Sequence, residues 1–288
     1  MLNLTTRPWG TRTWIMGIVN VTPDSFSGDG LLQGQSTVDA AIQKAKQFIQ
    51  DGADIIDIGG ESTRPGASTI SLEEELARVM PVIEGILKAL PAACLSIDTY
   101  KAQVAKEALQ AGACWVNDVW GLRADPNLAQ VITDFKAPVV LMHNRLKAGS
   151  TALQKRLGGH YVGAEYKNLI GEICQELLES VAIARQNDIS DDQIILDPGI
   201  GFGKTISQNL ELLDRLNEIK ALGYPLLVGP SRKSFIGYTL DLPPEERIEG
   251  TAAAVAVSIV RGADIIRVHD VKQMVRVARM TDAIVRRS

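Results

Sequence analysis

At 288 residues, with 45% hydrophobic and 22% charged residues, the chain has the composition of a soluble globular protein, which excludes a disordered, collagenous or coiled-coil one. A formal net charge of −4 offers no basic field to a nucleic acid, so no such partner is expected. The three cysteines, Cys94, Cys114 and Cys174, are too few and too scattered for a disulfide framework or a CxxC zinc site, a pattern that fits reduced thiols in a cytoplasmic protein.

In chain order, the first thirteen residues carry Arg7 and Arg12 but no apolar run, so no secretory leader is expected. Short β-branched runs then alternate with longer stretches of helical spacing. Strands are predicted at Trp14–Val21, Asp54–Ile58, Cys94–Ile97, Trp115–Asp118, Pro138–Met142, Gln193–Leu196, Pro225–Val228 and Asp264–Val268, eight in all. Helices are predicted over 37–50, 72–90, 170–186, 209–219, 245–260 and 271–285. Ser71 followed by Glu74 is the spacing of a helix start. The gap from His143 to Gln193 reads as a mobile loop before a helix rather than a domain boundary. The most apolar stretch, Ala252–Val260, is far shorter than the ~20 residues of a bilayer span, so no membrane association is expected.

Gly52-Ala-Asp-Ile-Ile recurs as Gly262-Ala-Asp-Ile-Ile, and Gly112-Ala-Cys-Trp-Val has the same form. Each glycine is predicted to close a helix in the left-handed conformation just before a strand begins. Eight such units over one chain, without a linker, predict a single-domain α/β protein, a (β/α)8 TIM barrel over residues 1–288. Its functional site would lie where the strands end.

Those ends are mostly polar: Asn20, Gly59, Asp98, Asn117, His143, Asp197, Gly229 and Arg267 follow the apolar runs in turn, and nearly every unit brings a hydrogen-bonding or charged side chain to the rim. Asp98, Asn117 and Asp197 form an acceptor and amide set suited to the N–H edge of a flat, nitrogen-rich heterocycle. Arg64, Lys233, Arg267 and His269 form the opposite set, suited to a phosphate or carboxylate. Asn20 offers an amide oxygen to a hard cation that also touches phosphate oxygens. Gly203-Lys204-Thr205 resembles the end of a phosphate-cradling P-loop, but Pro198 stands where its first glycine is required, which rules the motif out. The three histidines lack metal-ligand spacing, and Asp57 and Asp118 read equally well as salt-bridge or turn residues, so both are left out of the site.

The strings Asn20-Val-Thr-Pro-Asp-Ser-Phe-Ser, Gly60-Glu-Ser-Thr-Arg-Pro-Gly, Ser96-Ile-Asp-Thr-Tyr-Lys, Asp197-Pro-Gly-Ile-Gly-Phe-Gly-Lys, Ser231-Arg-Lys-Ser and Arg267-Val-His-Asp together resemble the dihydropteroate synthases, in family order over roughly residues 14–271. The resemblance implies a Mg2+-dependent transferase that joins 6-hydroxymethyl-7,8-dihydropterin diphosphate to p-aminobenzoate, most often as a homodimer. It implies Asp98, Asn117, Asp197 and Lys233 around the pterin, Thr63, Arg267 and His269 at the diphosphate, and Val268 among the substrate-binding residues. Pro65, Phe202 and Ser234 would lie around p-aminobenzoate, with Asn20 on magnesium and Arg64, Lys233 and Arg267 at the reacting centre. Arg64 and Asp29 would lie on loops that close over it. Two departures stand out: Ser27-Gly28-Asp29-Gly30 replaces the usual Ser-Asp-Gly-Gly, and Asn144 replaces the methionine that commonly follows the histidine. A methyltetrahydrofolate-dependent methyltransferase and a non-catalytic pterin-binding paralogue share the acid-and-amide clasp. The former has no need of the Ser62-Thr-Arg-Pro loop or of Arg267 with His269.

Overall fold

The computed structural model describes residues 9–22, 35–62, 69–145, 151–154, 157–161 and 163–286. Its strands in chain order are β1 (Trp14–Asn20), β2 (Ile55–Gly59), β3 (Leu95–Asp98), β4 (Trp115–Asp118), β5 (Val139–Met142), β6 (Thr151–Gln154), β7 (Gly158–Tyr161), β8 (Ile194–Asp197), β9 (Leu227–Val228) and β10 (Ile265–Val268). Eight of them form one parallel sheet in the order β8-β5-β4-β3-β2-β1-β10-β9. A parallel bridge between Leu196 and Leu226, with the Leu196 amide donating to the Pro225 carbonyl at 2.9 Å, brings its two edges together. The predicted barrel is thus present, with all eight expected strands.

Around it run α1 (Gln35–Asp51), α2 (Leu72–Ala89), α3 (Ala102–Ala111), α4 (Leu128–Phe135), α5 (Leu169–Gln186), α6 (Ile206–Asp214), α7 (Leu216–Lys220), α8 (Ser234–Leu240), α9 (Ile248–Val260) and α10 (Val271–Val285). Ser71 caps α2, its hydroxyl accepting from the Glu74 amide at 3.1 Å. Gly52, Gly112 and Gly262 sit at φ of 102°, 111° and 104°, the left-handed conformation their repeated context predicts. Three expectations are corrected. The stretch after β5 holds an antiparallel hairpin, β6 with β7, where only a loop was expected. The helix expected over 209–219 breaks at Arg215 into α6 and α7, and that over 245–260 starts at Ile248 after a 3-10 turn. Among the described residues no helix is long and apolar enough to cross a membrane.

Side chains along a strand alternate in direction, so each barrel strand feeds two cores. Ile15, Val19, Ile56, Ile58, Leu95, Ile97, Val116, Val139 and Leu141 pack outward among the helices. Trp14, Met16, Ile55, Cys94, Trp115, Val140, Ile195, Leu227 and Ile265 turn inward and fill the barrel interior. This apolar plug closes the N-terminal half of the barrel. Whatever binds must therefore enter from the other end.

Candidate functional site

Counting two residues on from members of the plug gives the next inward layer: Ile55 leads to Asp57, Cys94 to Ser96 and then Asp98, Trp115 to Asn117, Val140 to Met142, Ile195 to Asp197, and Ile265 to Arg267. On β2, β3, β4, β8 and β10 apolar side chains thus give way to polar ones within one layer, while β5 stays apolar at Met142. The strand ends predicted to carry chemistry do share one rim.

Arg267 is its hub. From β10 the guanidinium reaches past β1, donating from Nε to Asp57 Oδ2 at 2.6 Å and from Nη2 to Asp98 Oδ2 at 2.6 Å. Asp57 Oδ2 also accepts from Asn117 Nδ2 at 3.0 Å. The cationic and acidic sets are therefore interlocked rather than merely facing each other. Burial opposes the charge on Arg267, but Asp57 and Asp98 outweigh it and raise its pKa. Burial likewise pushes the Asp98 carboxyl up; Asp57, Glu75 and Asp118 add to this, and Arg267 only partly offsets it. Asp57 is wholly buried, and its Oδ1 has no hydrogen-bond partner among the described residues.

Asp197 opens the loop from β8. Burial raises its pKa to about 6, against the Gly199 amide that donates to Oδ1 at 2.7 Å and the charges of Lys233, Arg267 and Lys204. The loop folds back tightly: at Gly199 (φ +70°) a Cβ would stand 2.0 Å from the His143 carbonyl oxygen, and at Gly201 (φ +78°) 2.7 Å from Lys233 Cδ. Only glycine permits that approach. Lys233 Nζ lies 4.0 Å above the centre of the Phe202 ring, while Phe202 packs with Val119 and Met142, flanked by Tyr100 and Trp120. Met142 thus supplies an apolar wall. Asn144, at the position where a methionine is usual, instead donates to the Val119 carbonyl at 3.1 Å.

His269 Nδ1 lies 3.1 Å from Ser231 Oγ, which also accepts from the His269 amide at 3.2 Å. Burial, then the charges of Arg267, Lys44, Arg232 and Lys233, hold its pKa well below the ordinary imidazole value, so the ring is neutral at pH 7. Ser234 opens α8 directly after Lys233. Asn20 ends β1 in register with Gly59 and shares the inward parity of Met16. The side chain of Val268 is fully buried in the outer core, which leaves its main chain for a ligand. Thr63, Arg64, Pro65 and Asp29 lie outside the described residues. Asp57, set aside on sequence grounds, belongs to the centre of the site. Asp118 is a turn residue, its carboxylate accepting from the amides of Trp120 at 2.8 Å and Leu122 at 2.6 Å.

The chain as a whole resembles known proteins. The Pterin binding enzyme family matches residues 16–269. A dihydropteroate synthase of Clostridium beijerinckii is 50% identical over 279 residues, 96% of each chain, and one of Bacillus subtilis is 50% identical over 273 residues, 95% of this chain and 89% of that one. Among solved structures, dihydropteroate synthase from Clostridium difficile in the presence of pteroic acid superposes with a TM-score of 0.87 at 49% identity, covering 98% of this chain and 100% of that one. The Xanthomonas albilineans enzyme with 4-aminobenzoic acid gives 0.85 at 40% identity, over 96% and 94%.

Proposed function

This chain belongs to the dihydropteroate synthase family, and from that premise we propose that it joins 6-hydroxymethyl-7,8-dihydropterin diphosphate to p-aminobenzoate, releasing diphosphate and 7,8-dihydropteroate. The observation that carries the reading is Arg267 held between Asp57 and Asp98 directly above the apolar plug. One arginine there touches both the acidic clasp for a heterocycle and the space where its leaving group must sit.

The chemistry follows from these charges. Asp98, Asn117 and Asp197 accept from, or pair with, the amino and ring N–H groups of the pterin, while Met142 covers apolar surface beside it. As the methylene carbon–oxygen bond breaks, electrons pass to the diphosphate oxygens and positive charge spreads into the pterin. Arg267, with neutral His269 as a hydrogen-bonding neighbour, stabilises the departing anion, and the buried carboxylates stabilise the electron-poor ring. At an effective dielectric of about 20, each unit charge pair about 4 Å apart is worth about 4 kcal/mol. The neutral aniline nitrogen of p-aminobenzoate then forms the new carbon–nitrogen bond and gives up its proton to solvent. An aromatic amine is nucleophilic at pH 7, so no histidine is needed as a base. Thr63 and Arg64 are assigned to the diphosphate and the reacting centre, and Pro65, Phe202 and Ser234 to the arylamine.

Asn20 is the residue assigned to magnesium. Among the described residues no group of three or more His, Cys, Asp and Glu could hold a metal. One amide oxygen at the mouth fits an ion that keeps several waters and takes its remaining ligands from the diphosphate. When bound, the ion supplies further positive charge to the leaving group. A homodimer and a cytoplasmic location complete the proposal; exposed Val257, Val260, Met280, Ile284 and Val285 on α9 and α10 are the apolar residues a second copy would cover. The deciding experiment incubates purified protein with both substrates and magnesium, following pteroate and diphosphate. Pterin binding without either product would leave a non-catalytic pterin-binding protein instead.

A further inference from the structure

Lys204 ends the glycine-rich loop that begins at Asp197, and it is only 2% exposed. Its ammonium turns back beneath its own loop. Nζ donates to the Gly199 carbonyl at 3.0 Å and the Phe202 carbonyl at 3.1 Å, and lies 3.1 Å from His143 Nδ1. An ammonium has three N–H donors and no acceptor. Three acceptors surround this one.

His143, on the strand-end segment after β5, is 1% exposed and presents Nε2 3.1 Å from Glu176 Oε2 on α5. Glu176 in turn pairs with Arg145, which also donates to Glu172 at 2.8 Å and lies over the Tyr166 ring at 4.2 Å. An ammonium at Nδ1 and a carboxylate at Nε2 select one neutral tautomer, with the proton on Nε2. Burial and the charge of Lys204 lower the pKa of His143 to about 4, which keeps the ring neutral, while burial lowers the pKa of Lys204 to about 7 against the opposing charges of Asp197 and Glu176. The same loop is secured from α6, where Asn209 Oδ1 accepts from the Gly201 amide at 2.6 Å.

We propose that Lys204 and His143 are a positioning pair for substrate binding: by fixing the carbonyls of Gly199 and Phe202, they set the Asp197 carboxylate against the pterin and the Phe202 ring against the arylamine. Neither residue touches substrate. The proposal rests on the synthase reading for the identity of the two substrates, but the geometry of the pair can be tested without it.

The first measurement is therefore NMR of the wild-type protein with 15N-labelled histidine. The expected result is a neutral His143, unprotonated and accepting at Nδ1, without titration between about pH 5 and pH 8. A doubly protonated ring in that range would overturn the pair, because an imidazolium cannot accept from an ammonium. The second measurement is steady-state kinetics with melting curves. Lys204→Met keeps the length and loses all three bonds; KM for both substrates should rise about tenfold, with kcat changed less than about threefold. Lys204→Arg should not rescue, since its planar fork does not match three acceptors around one nitrogen. Should Lys204→Met not fold, His143 decides: His143→Leu removes the acceptor and should raise both KM values, while His143→Asn replaces it with an amide oxygen and should recover most of the loss. Unchanged KM values in a folded Lys204→Met or in His143→Leu would sink the proposal. A fall in kcat and melting temperature with both KM values unmoved would make the pair merely structural and sink it equally. A wild-type protein that forms no pteroate would refute the synthase reading alone and leave the NMR result standing.

Discussion

Replacing Arg267 with methionine separates what the guanidinium does for the fold from what it does for the reaction. The ion pairs of this arginine give it a part in the fold as well as in the reaction. Arg267 makes two 2.6 Å ion pairs with side chains that are 0% exposed for Asp57 and 10% for Asp98. Removing one member of such a buried set costs about 3–5 kcal/mol, because the remaining charges lose their partner. With a urea m-value of roughly 3 kcal/mol/M, the unfolding midpoint should fall by roughly 1 to 2 M. Adding Asp98→Asn removes one of the stranded charges and should restore about 1–3 kcal/mol, while turnover, followed by diphosphate release, stays lost in both variants. The pH dependence has a defined sign. The Asp98 pKa is raised in the folded state and Arg267 is the group that holds it down. Without Arg267 it rises further, so the deficit against wild type widens as pH rises and closes as pH falls and Asp98 takes up its proton. A midpoint equal to wild type, or a second substitution that restores no stability, would refute this account of the hub. Recovery of turnover in the double variant would remove Arg267 from the chemistry.

Three further outcomes follow from the same geometry. The Asp197 pKa is raised to about 6, and pterin N–H groups favour its ionised form, so affinity for the pterin should weaken as pH falls below about 6, with proton release on binding; calorimetry in two buffers giving a flat profile from about pH 5 to 8 would contradict this. Asp57→Asn withdraws charge from both Arg267 and Asn117 and should lower kcat/KM by at least about tenfold, and unchanged kinetics would return Asp57 to a structural role. Gly199→Ala places a methyl 2.0 Å from the His143 carbonyl oxygen at φ +70°, so it should cost at least about 1–3 kcal/mol of stability and loosen pterin binding; an unaltered melting curve would show that the loop is not held there.

The barrel was legible because its punctuation is chemical. Gly52, Gly112 and Gly262 need a left-handed backbone, and the apolar runs after them are too short and too β-branched to be helices. The β6–β7 hairpin was not legible, since Ala148-Gly-Ser and Gly158-Gly-His read as loop, and the second of these strings is itself the start of β7. Nor was the break at Arg215 visible: its guanidinium gathers Glu211 at 2.7 Å and Glu218 at 2.7 Å from the two sides of the junction, a contact that helical periodicity alone does not reveal.

Asp57 and Asp118 show why residue type falls short at a strand end. Both are acidic, fully buried and within two residues of the last strand position. What separates them is parity. Asp57 stands two residues after Ile55 in the inner plug, so its carboxylate enters the mouth and meets Arg267; Asp118 stands three after Trp115, on the opposite face, and closes the turn to Leu122. In a parallel strand buried on both faces the sequence shows no polar alternation to reveal which parity is inward. It becomes readable once one inward residue per strand is known. Trp115 and Trp14 are two such residues, each fixing the inward parity of its own strand. Neighbouring strands follow through their register, as Asp98 opposite Asn117 and Gly59 opposite Asp98 illustrate. The catalytic mouth is in this sense the continuation of the apolar plug: the same alternation that packs Ile55, Trp115, Ile195 and Ile265 delivers Asp57, Asn117, Asp197 and Arg267 one layer above.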